Sequence, residues 1–271
     1  MESVEKVRFI YGESAAVVNA NGRNHMIIGD LHIGAERRLA HKGIHIYDAV
    51  DVMLGKVKAL LKEYGADSLI ILGDVKDSIL YPAAPEAMCV KRFFDGLKDY
   101  DVVVTRGNHD PHLEEIVSVR VVDELVINGF AFLHGHRWPT ESAMRCAYIF
   151  AGHNHVAVSF VDKNRGFYNQ KAWLVSELNR KAALEKYPNV NKEIKLVVMP
   201  AFNDLIIGMP VNEVYDENLS PLFRNNIFDY NKGKIYSLRG EPAGTPGSLK
   251  KSQKRSDFNL REMGRKTKGK K

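Results

Sequence analysis

Cysteine is nearly absent. The 271 residues hold two, Cys89 and Cys146, far apart and outside any CxxC pair. That excludes a disulfide framework and a thiolate zinc site and fits a reducing cytoplasm. Long apolar runs are missing as well: nothing approaches the roughly 18–20 residues a membrane helix needs, and no basic-plus-apolar signal opens the chain. Neither membrane insertion nor secretion is therefore expected. Tryptophan is limited to Trp138 and Trp173, read as packing groups rather than base-stacking platforms. No internal repeat is visible. What remains is 45% apolar, enough to bury the core of one large globular domain.

A surplus of positive charge is present, but it is confined to one end. The formal net charge of +6 divides into +7 over residues 241–271, with ten Lys/Arg against Glu241, Asp257 and Glu262, and −1 over residues 1–240. The terminal segment has Gly-Thr-Pro-Gly at its root and few apolar residues, so it cannot bury enough surface to offset its ordering entropy. It reads as a disordered tail, either solubilising or an arm for nucleic acid or another anionic partner.

Three short aliphatic runs, Met26–Ile28, Ser68–Leu72 and Val102–Thr105, read as buried strands. Between the first two, Val50, Met53, Leu54, Val57, Leu60, Leu61 and Tyr64 recur at helical spacing, with Gly65 as C-cap. Between the next two, Pro85 opens a helix whose stripe is Ala87, Val90, Phe93, Phe94 and Leu97. The result is β-α-β-α-β, a unit that brings the loops after its strands to one sheet edge. Further strands are expected at 130–133, 148–151, 157–161, 194–199, 205–207 and 234–238, giving a second sheet. Residues 171–175 suit a strand, and 176–187 have helical composition with Ser176 as a possible cap.

Five polar clusters follow predicted strands: Gly29-Asp30-Leu31-His32, Gly73-Asp74-Val75-Lys76-Asp77, Gly107-Asn108-His109-Asp110, His134-Gly135-His136 and Gly152-His153-Asn154-His155. They hold six of the ten histidines. Taken singly, each also suits an ordinary polar turn or a surface loop. Together they supply what two adjacent divalent cations need: about seven oxygen and nitrogen donors, one of them a carboxylate able to bridge.

The order DxH, GDxxD, GNHD, H, GHxH over roughly residues 25–160 resembles the calcineurin-like metallophosphoesterase superfamily. GDLHIG and GNHD are most similar to the archaeal phosphoesterases related to the SbcD/Mre11 nucleases. Met199-Pro200-Ala201-Phe202-Asn203 and Gly208-Met209-Pro210-Val211-Asn212 resemble the C-terminal signature of an archaeal branch and its bacterial ligase-associated relatives. The resemblance implies an α/β (α+β) fold, a calcineurin-like four-layer αββα sandwich with two mixed β-sheets flanked by helices. Residues 1–240 would form this domain and 241–271 the basic tail.

Carried over by the resemblance, Asp30, His32 and His155 bind one metal, Asn108, His134 and His153 the other, and Asp74 bridges them. Mn2+ is the ion it implies, although the mixed donors also accommodate Fe, Ni, Co or Zn. A water or hydroxide shared by the two ions becomes a nucleophile at neutral pH. His109 is implied as the residue that contacts phosphate or protonates the leaving oxygen, and Asp77 as the carboxylate that orients it. Asp110 is read as fixing its loop. Arg37, Arg38, Arg106, His136 and Arg137 are further phosphate-contact candidates, whereas His25, His41, His45 and His112 read as ordinary surface or loop residues.

The implied activity is a dinuclear metal-dependent phosphoester hydrolase, a phosphodiesterase or nuclease acting on nucleic acid or nucleotides. A small-molecule phosphomonoesterase or cyclic nucleotide phosphodiesterase is the alternative, followed by an inactive scaffold. Implied partners are a phosphoester substrate such as DNA or RNA, and DNA-repair proteins. Against a nuclease stands the nearly neutral charge of residues 1–240, since duplex binding normally uses clustered cations.

Overall fold

The computed structural model describes residues 7–40, 43, 46, 49–161, 166–212 and 220–249. One sheet has six strands in chain order: β1 (Val7–Phe9), β2 (Ala16–Ala20), β3 (Arg23–Ile28), β4 (Ser68–Ile71), β5 (Asp101–Thr105) and β6 (Arg120–Val122). The first three are antiparallel neighbours and the last four run parallel, with Ile28 opposite Ile71 and Ile71 opposite Val104. Helices α1 (Glu36–Ala40) and α2 (Ala49–Glu63) connect β3 to β4, and α3 (Ala84–Asp95) connects β4 to β5. The predicted β-α-β-α-β unit is thus present.

Local chemistry sets the helix limits. Beyond α2, Gly65 takes φ +56°, and the N–H of Ala66 donates to Leu61 O at 2.9 Å, satisfying a terminal carbonyl that the helix itself cannot. Pro85 lies in the first turn of α3, where its missing N–H costs nothing.

The second sheet contains β7 (Glu124–Ile127), β8 (Phe130–Leu133), β9 (Tyr148–Ala151), β10 (Val156–Val161), β11 (Phe167–Glu177), β12 (Lys195–Val198), β13 (Met209–Pro210), β14 (Lys234–Ser237) and β15 (Pro242–Gly244). Its order is β13-β10-β11-β12-β9-β8-β7, with β14 also paired to β11 and β15 to β14. β8, β9 and β12 are parallel, so Leu133, Ala151 and Val198 stand side by side at one edge. Helices α4 (Glu141–Met144), α5 (Arg180–Lys186) and α6 (Pro221–Arg224), with a 3-10 turn at Leu113–Glu115, complete the described elements.

Alternation along the strands builds the layers. Met26, Ile28, Leu69, Ile71 and Val104 pack with Val57, Leu61 and Phe93 of the flanking helices. The intervening Ile27, Ile70 and Val103 meet Phe130, Phe132, Phe150, Trp173 and Val197 between the sheets. On the far face of the second sheet, Ala131, Leu133 and Ile149 pack with Met144, Ala183 and Leu222. Because both faces of these strands are covered, their sequences are continuously apolar rather than alternating. The architecture is the expected four-layer αββα sandwich with two mixed sheets.

Some local expectations are corrected. Residues 205–207 are not a strand: the Asn203 side chain accepts the N–H of Leu205 at 2.9 Å and turns the chain, leaving Ile207 exposed. Ser176 belongs to β11, and the cap of α5 is Asn179. Trp173 packs between the sheets as expected, but Trp138 is 40% exposed, with Lys186 Nζ 4.1 Å above its ring. His25 is buried in β3. β15 lies beyond residue 240, inside the stretch read as tail; residues 250–271, together with His41 and His45, fall outside the described residues. Among the described residues no helix is long and apolar enough to cross a membrane.

Phe132 is fully buried and its ring stacks on Phe150 at 5.8 Å between the sheets. Phe132→Ala is expected to lower the unfolding free energy by about 3–5 kcal/mol in denaturant titrations. A loss under about 1 kcal/mol would contradict the placement of this side chain in the central layer.

Candidate metal centre

All five polar clusters begin within two residues of the ends of β3, β4, β5, β8 and β9. The first two leave the sheet as a pair, with Asp30 N–H donating to Gly73 O at 3.1 Å and His32 N–H to Asp74 O at 2.8 Å. Asp30, His32, Asp74, His153 and His155 all have positive φ, from +39° to +67°. This left-handed backbone is disfavoured for residues with a Cβ by roughly 1–2 kcal/mol each, least for short polar side chains. It turns each side chain back toward the sheet edge instead of letting the chain run on.

Close main-chain contact makes room for the carboxylates. A Cβ on Gly107 would stand 2.2 Å from both N and Oδ1 of Asp74, and one on Gly152 would stand 2.8 Å from Oδ2 of Asp30. Asp110, fully buried, ties the loops together by accepting N–H bonds from Val75 at 2.9 Å and Gly107 at 2.8 Å. This is the loop-fixing part expected of it. Burial, then the neighbouring Asp74 charge, hold the Asp110 carboxyl above its ordinary pKa.

Two groups of donor atoms converge. Asp30, His32, Asp74 and His155 form one, and Asp74, His134 and His153 the other, each with its ligand atoms within 4.8 Å of one another. Asp74 belongs to both. Asn108 joins the second group, its Oδ1 lying 3.0 Å from His134 Nε2. All seven side chains singled out as ligands are therefore brought to one place.

The donor chemistry fits cations. His134 Nδ1 donates to Leu72 O at 2.8 Å, so in the neutral ring Nε2 carries a lone pair. That lone pair faces Asp74 Oδ2 at 3.4 Å, His153 Nδ1 at 3.2 Å and Asn108 Oδ1 at 3.0 Å. In the first group, His32 Nε2 and His155 Nε2 are 3.2 Å apart, and Asp30 Oδ1 is 3.3 Å from His155 Nε2. Acceptors packed this closely repel one another unless positive charge lies among them.

The proton affinities express the same demand. Burial disfavours charge on every group here, yet the Asp74 and Asp30 carboxylates override it and push His134 up to about 9. His155 is raised likewise, against burial, by Asp30. Conversely, burial would raise Asp30 and Asp74, but His155 and His134 hold them below the usual carboxylate range. His153 falls to about 4, through burial and then the charge on His134. Without a metal, protons supply the positive charge that the carboxylates require; a bound metal would displace them.

His109 stands beside both groups without belonging to either. Its N–H donates to Asp74 Oδ1 at 2.9 Å, and its ring meets that of His32 edge-on at 4.8 Å. Asp77 serves it differently from the expectation. The group facing His109 Nδ1, at 2.6 Å, is the Asp77 main-chain carbonyl, while the Asp77 carboxylate lies 3.3 Å from His32 Nδ1. One residue thus faces two histidines, because the turn after β4 points its carbonyl and its side chain in different directions.

The other basic candidates are largely engaged elsewhere. Arg106 pairs with Glu114 and Asp123, and Arg137 with Asp123 at 3.0 Å. Arg37 is exposed, and the Arg38 side chain is outside the described set. His136 packs beside His134, ring centroids 5.2 Å apart, and burial with the neighbouring His134 charge lowers it to about 4. His112 is exposed and paired with Glu115 at 2.7 Å.

Supporting residues escaped the sequence reading. Asn203 Nδ2 donates to Leu31 O at 2.7 Å, Met209 N–H donates to His155 O at 2.8 Å, and Lys171 Nζ holds the carbonyls of Ala201 and Asn203 at 2.8 Å. For Asn203 and Met209 the only signal was the resemblance of residues 199–212 to a terminal signature, and for Lys171 there was none. Lys76, fully buried, donates to the carbonyls of Ser78 and Leu80 at 2.5 and 2.9 Å and shapes the turn after Asp77. Nothing in the sequence marked it.

Residues 25–199 match the family model of the calcineurin-like phosphoesterases. In fold the chain is similar to the nuclease MPE of Pseudomonas putida, with a TM-score of 0.50 and 20% identity over 83% of this chain and 98% of that one. A likeness to YfcE, a phosphoesterase from E. coli, has a TM-score of 0.40 and 15% identity, over 81% of this chain and 96% of that one. No curated protein matches the sequence.

The contact between the Asp74 and Gly107 loops can be tested directly. Gly107→Ala is expected to weaken Mn2+ binding, read by isothermal titration, by about 10–100-fold, as for other residues that orient ligands. Gly55→Ala, in α2 with open space around it, is expected to leave binding unchanged. Equal affinities for the two variants would contradict the loop arrangement.

Proposed function

The chain belongs to the calcineurin-like phosphoesterase family, a family of metal-dependent phosphoester hydrolases, and from that premise we propose a two-metal phosphodiesterase acting on nucleic acid or nucleotides. The observation that carries this reading is the position of Asp74 in both donor groups, with His109 alongside. Asp30, His32 and His155 would hold one ion and Asn108, His134 and His153 the other, Asp74 serving both. Manganese is the ion proposed, in keeping with mixed oxygen and nitrogen donors. When bound, such a pair makes water a nucleophile at neutral pH and draws in the phosphoryl oxygens.

The chain's own groups do the rest. Asp74 would hold the two ions near one another, Asp30 and Asp74 together would limit their net charge, and Asn108, a neutral donor, would leave room for an anionic substrate. His109 is anchored through Nδ1 on the Asp77 carbonyl, so its Nε2 is the atom free to act. In its protonated form it delivers the Nε2 proton to the departing oxygen and keeps the one on Nδ1. An alkoxide is a poor leaving group, and such proton transfer contributes about 10²–10⁴-fold.

Charge supports a diester over a monoester. A diester carries one negative charge at phosphorus, and a monoester close to two at neutral pH. The nearby arginines Arg106 and Arg137 are committed to Glu114 and Asp123 rather than turned to the centre.

Protein stripped with chelator and reloaded with Mn2+ is expected to hydrolyse bis-p-nitrophenyl phosphate faster than p-nitrophenyl phosphate. His109→Ala is expected to lose about 10²–10⁴-fold in kcat while its metal content by mass spectrometry stays at the wild-type level. Hydrolysis of the monoester alone overturns the diesterase reading, and unchanged turnover in His109→Ala overturns the proton-donor role.

A further inference from the structure

We propose that the end of the sandwich remote from the metal centre binds single-stranded nucleic acid. This deepens the proposed function by naming its substrate as a phosphodiester polymer, and it rests on that reading only for the claim that the bound strand is then cleaved.

The surface arises because the inward face of the second sheet changes character along its strands. On β14, β11 and β12, Tyr236 stands opposite Trp173 and Val175 opposite Val197, packed at the inter-sheet core. Farther from the metal centre, Lys234 stands opposite Val175 and Lys195 opposite Glu177. Lys195 opens β12 and Tyr148 opens β9, the strands whose other ends adjoin the centre. Four-residue strands place this face roughly 13 Å away along the sheet.

Two adjoining cavities lie here, sharing Val175, Lys195 and Tyr236. One, of about 500 Å³, is walled by Phe9, Tyr11, Tyr148, Trp173 and Tyr236, with Arg239 at its rim. The other, of about 690 Å³, is bordered by Arg180, Lys181, Lys195, Lys232 and Lys234, with Glu177 and Asp229 as its acids. Arg180 pairs with Glu193 and Lys232 with Asp229. Among the described residues Lys181, Lys195, Lys234 and Arg239 make no ion pair.

Unpaired cations gathered on a body whose net charge is −1 point to a polyanion. The aromatic half narrows the choice. Phe9 and Tyr11 are 44% and 70% exposed, which core packing does not require of them. Bases stack on such rings irrespective of sequence, provided that they are not already stacked and paired inside a duplex. Aromatic and cationic halves side by side suit bases and phosphates of one strand. Where the described chain ends, Gly247 N–H donates to Asn231 O at 3.0 Å, next to Lys232. The ten basic residues from Lys250 onward carry the same sign as the patch.

The test uses the full chain in chelator, with a fluorescent twenty-nucleotide oligo-dT followed by anisotropy across a salt series. Lys195→Gln combined with Lys234→Gln is expected to weaken binding and to reduce the slope of log K against log salt by about 1.4, roughly 0.7 per lost phosphate contact. Tyr11→Ala is expected to cost roughly five- to hundredfold, the value of one stacked base. All these side chains are exposed, and unchanged thermal unfolding separates the effect from misfolding. Reloaded with Mn2+, the variants are expected to hydrolyse bis-p-nitrophenyl phosphate at the wild-type rate; failure of the wild-type protein in that assay would sink the proposed function but not the binding surface. Wild-type oligonucleotide affinity in all variants overturns the proposal. So does equally tight binding of a duplex of the same length, or loss of binding confined to phosphatidylserine vesicles.

Discussion

The arrangement depends on one constraint: two buried carboxylates, Asp30 and Asp74, must share a small volume with four imidazoles and find positive charge there. Each carboxylate alone would be costly to bury, and together they repel. Hydrogen bonds to main-chain N–H groups compensate in part, from His153 to Asp30 at 3.1 Å and from His109 to Asp74 at 2.9 Å. The rest must come from cations or from protons on His134 and His155. A site that binds metal tightly is, without metal, a site that binds protons tightly.

Holding that cluster is the work of the four layers. Parallel strands with apolar residues on both faces fix five strand ends at one edge, and the left-handed residues after them direct the donors to a common point. The backbone cost of those residues is tolerable because the surrounding loops are cross-tied by Asp110, Asn203, Lys76 and Lys171, each buried or nearly so and each hydrogen-bonded to main chain. Rigidity at the edge follows from polar ties as much as from the core.

The two poles of the sandwich differ in what they offer. At one edge, the anionic donor set calls for cations, and the nearest arginines are held by surface acids. At the other, the larger sheet carries lysines and aromatic rings on a face that is apolar further in. Separating cation-hungry and cation-rich surfaces keeps the lysines from competing for Asp30 and Asp74. It also explains why a chain whose first 240 residues are nearly neutral in sum need not be uniform in charge.

The sequence by itself determined the inventory of donors and their attachment to strands. Asp30 and His32, or His153 and His155, are local pairs, and the aliphatic runs before them mark buried strands whatever lies around them. The helical stripes of α2 and α3 were legible for the same reason. Short strands such as β1 and β6 were not, because three residues carry too little pattern. The shared place of Asp74 was implied by the resemblance, but only the tertiary structure decided that Asp77 turns its carbonyl to His109 and its carboxylate to His32, and that Asn203 braces a loop 171 residues away. The cationic face was equally hidden, since Lys195 and Lys234 become neighbours only through β11. These are contacts between distant segments, set by sheet order and by the direction of a turn, and neither is written in local spacing.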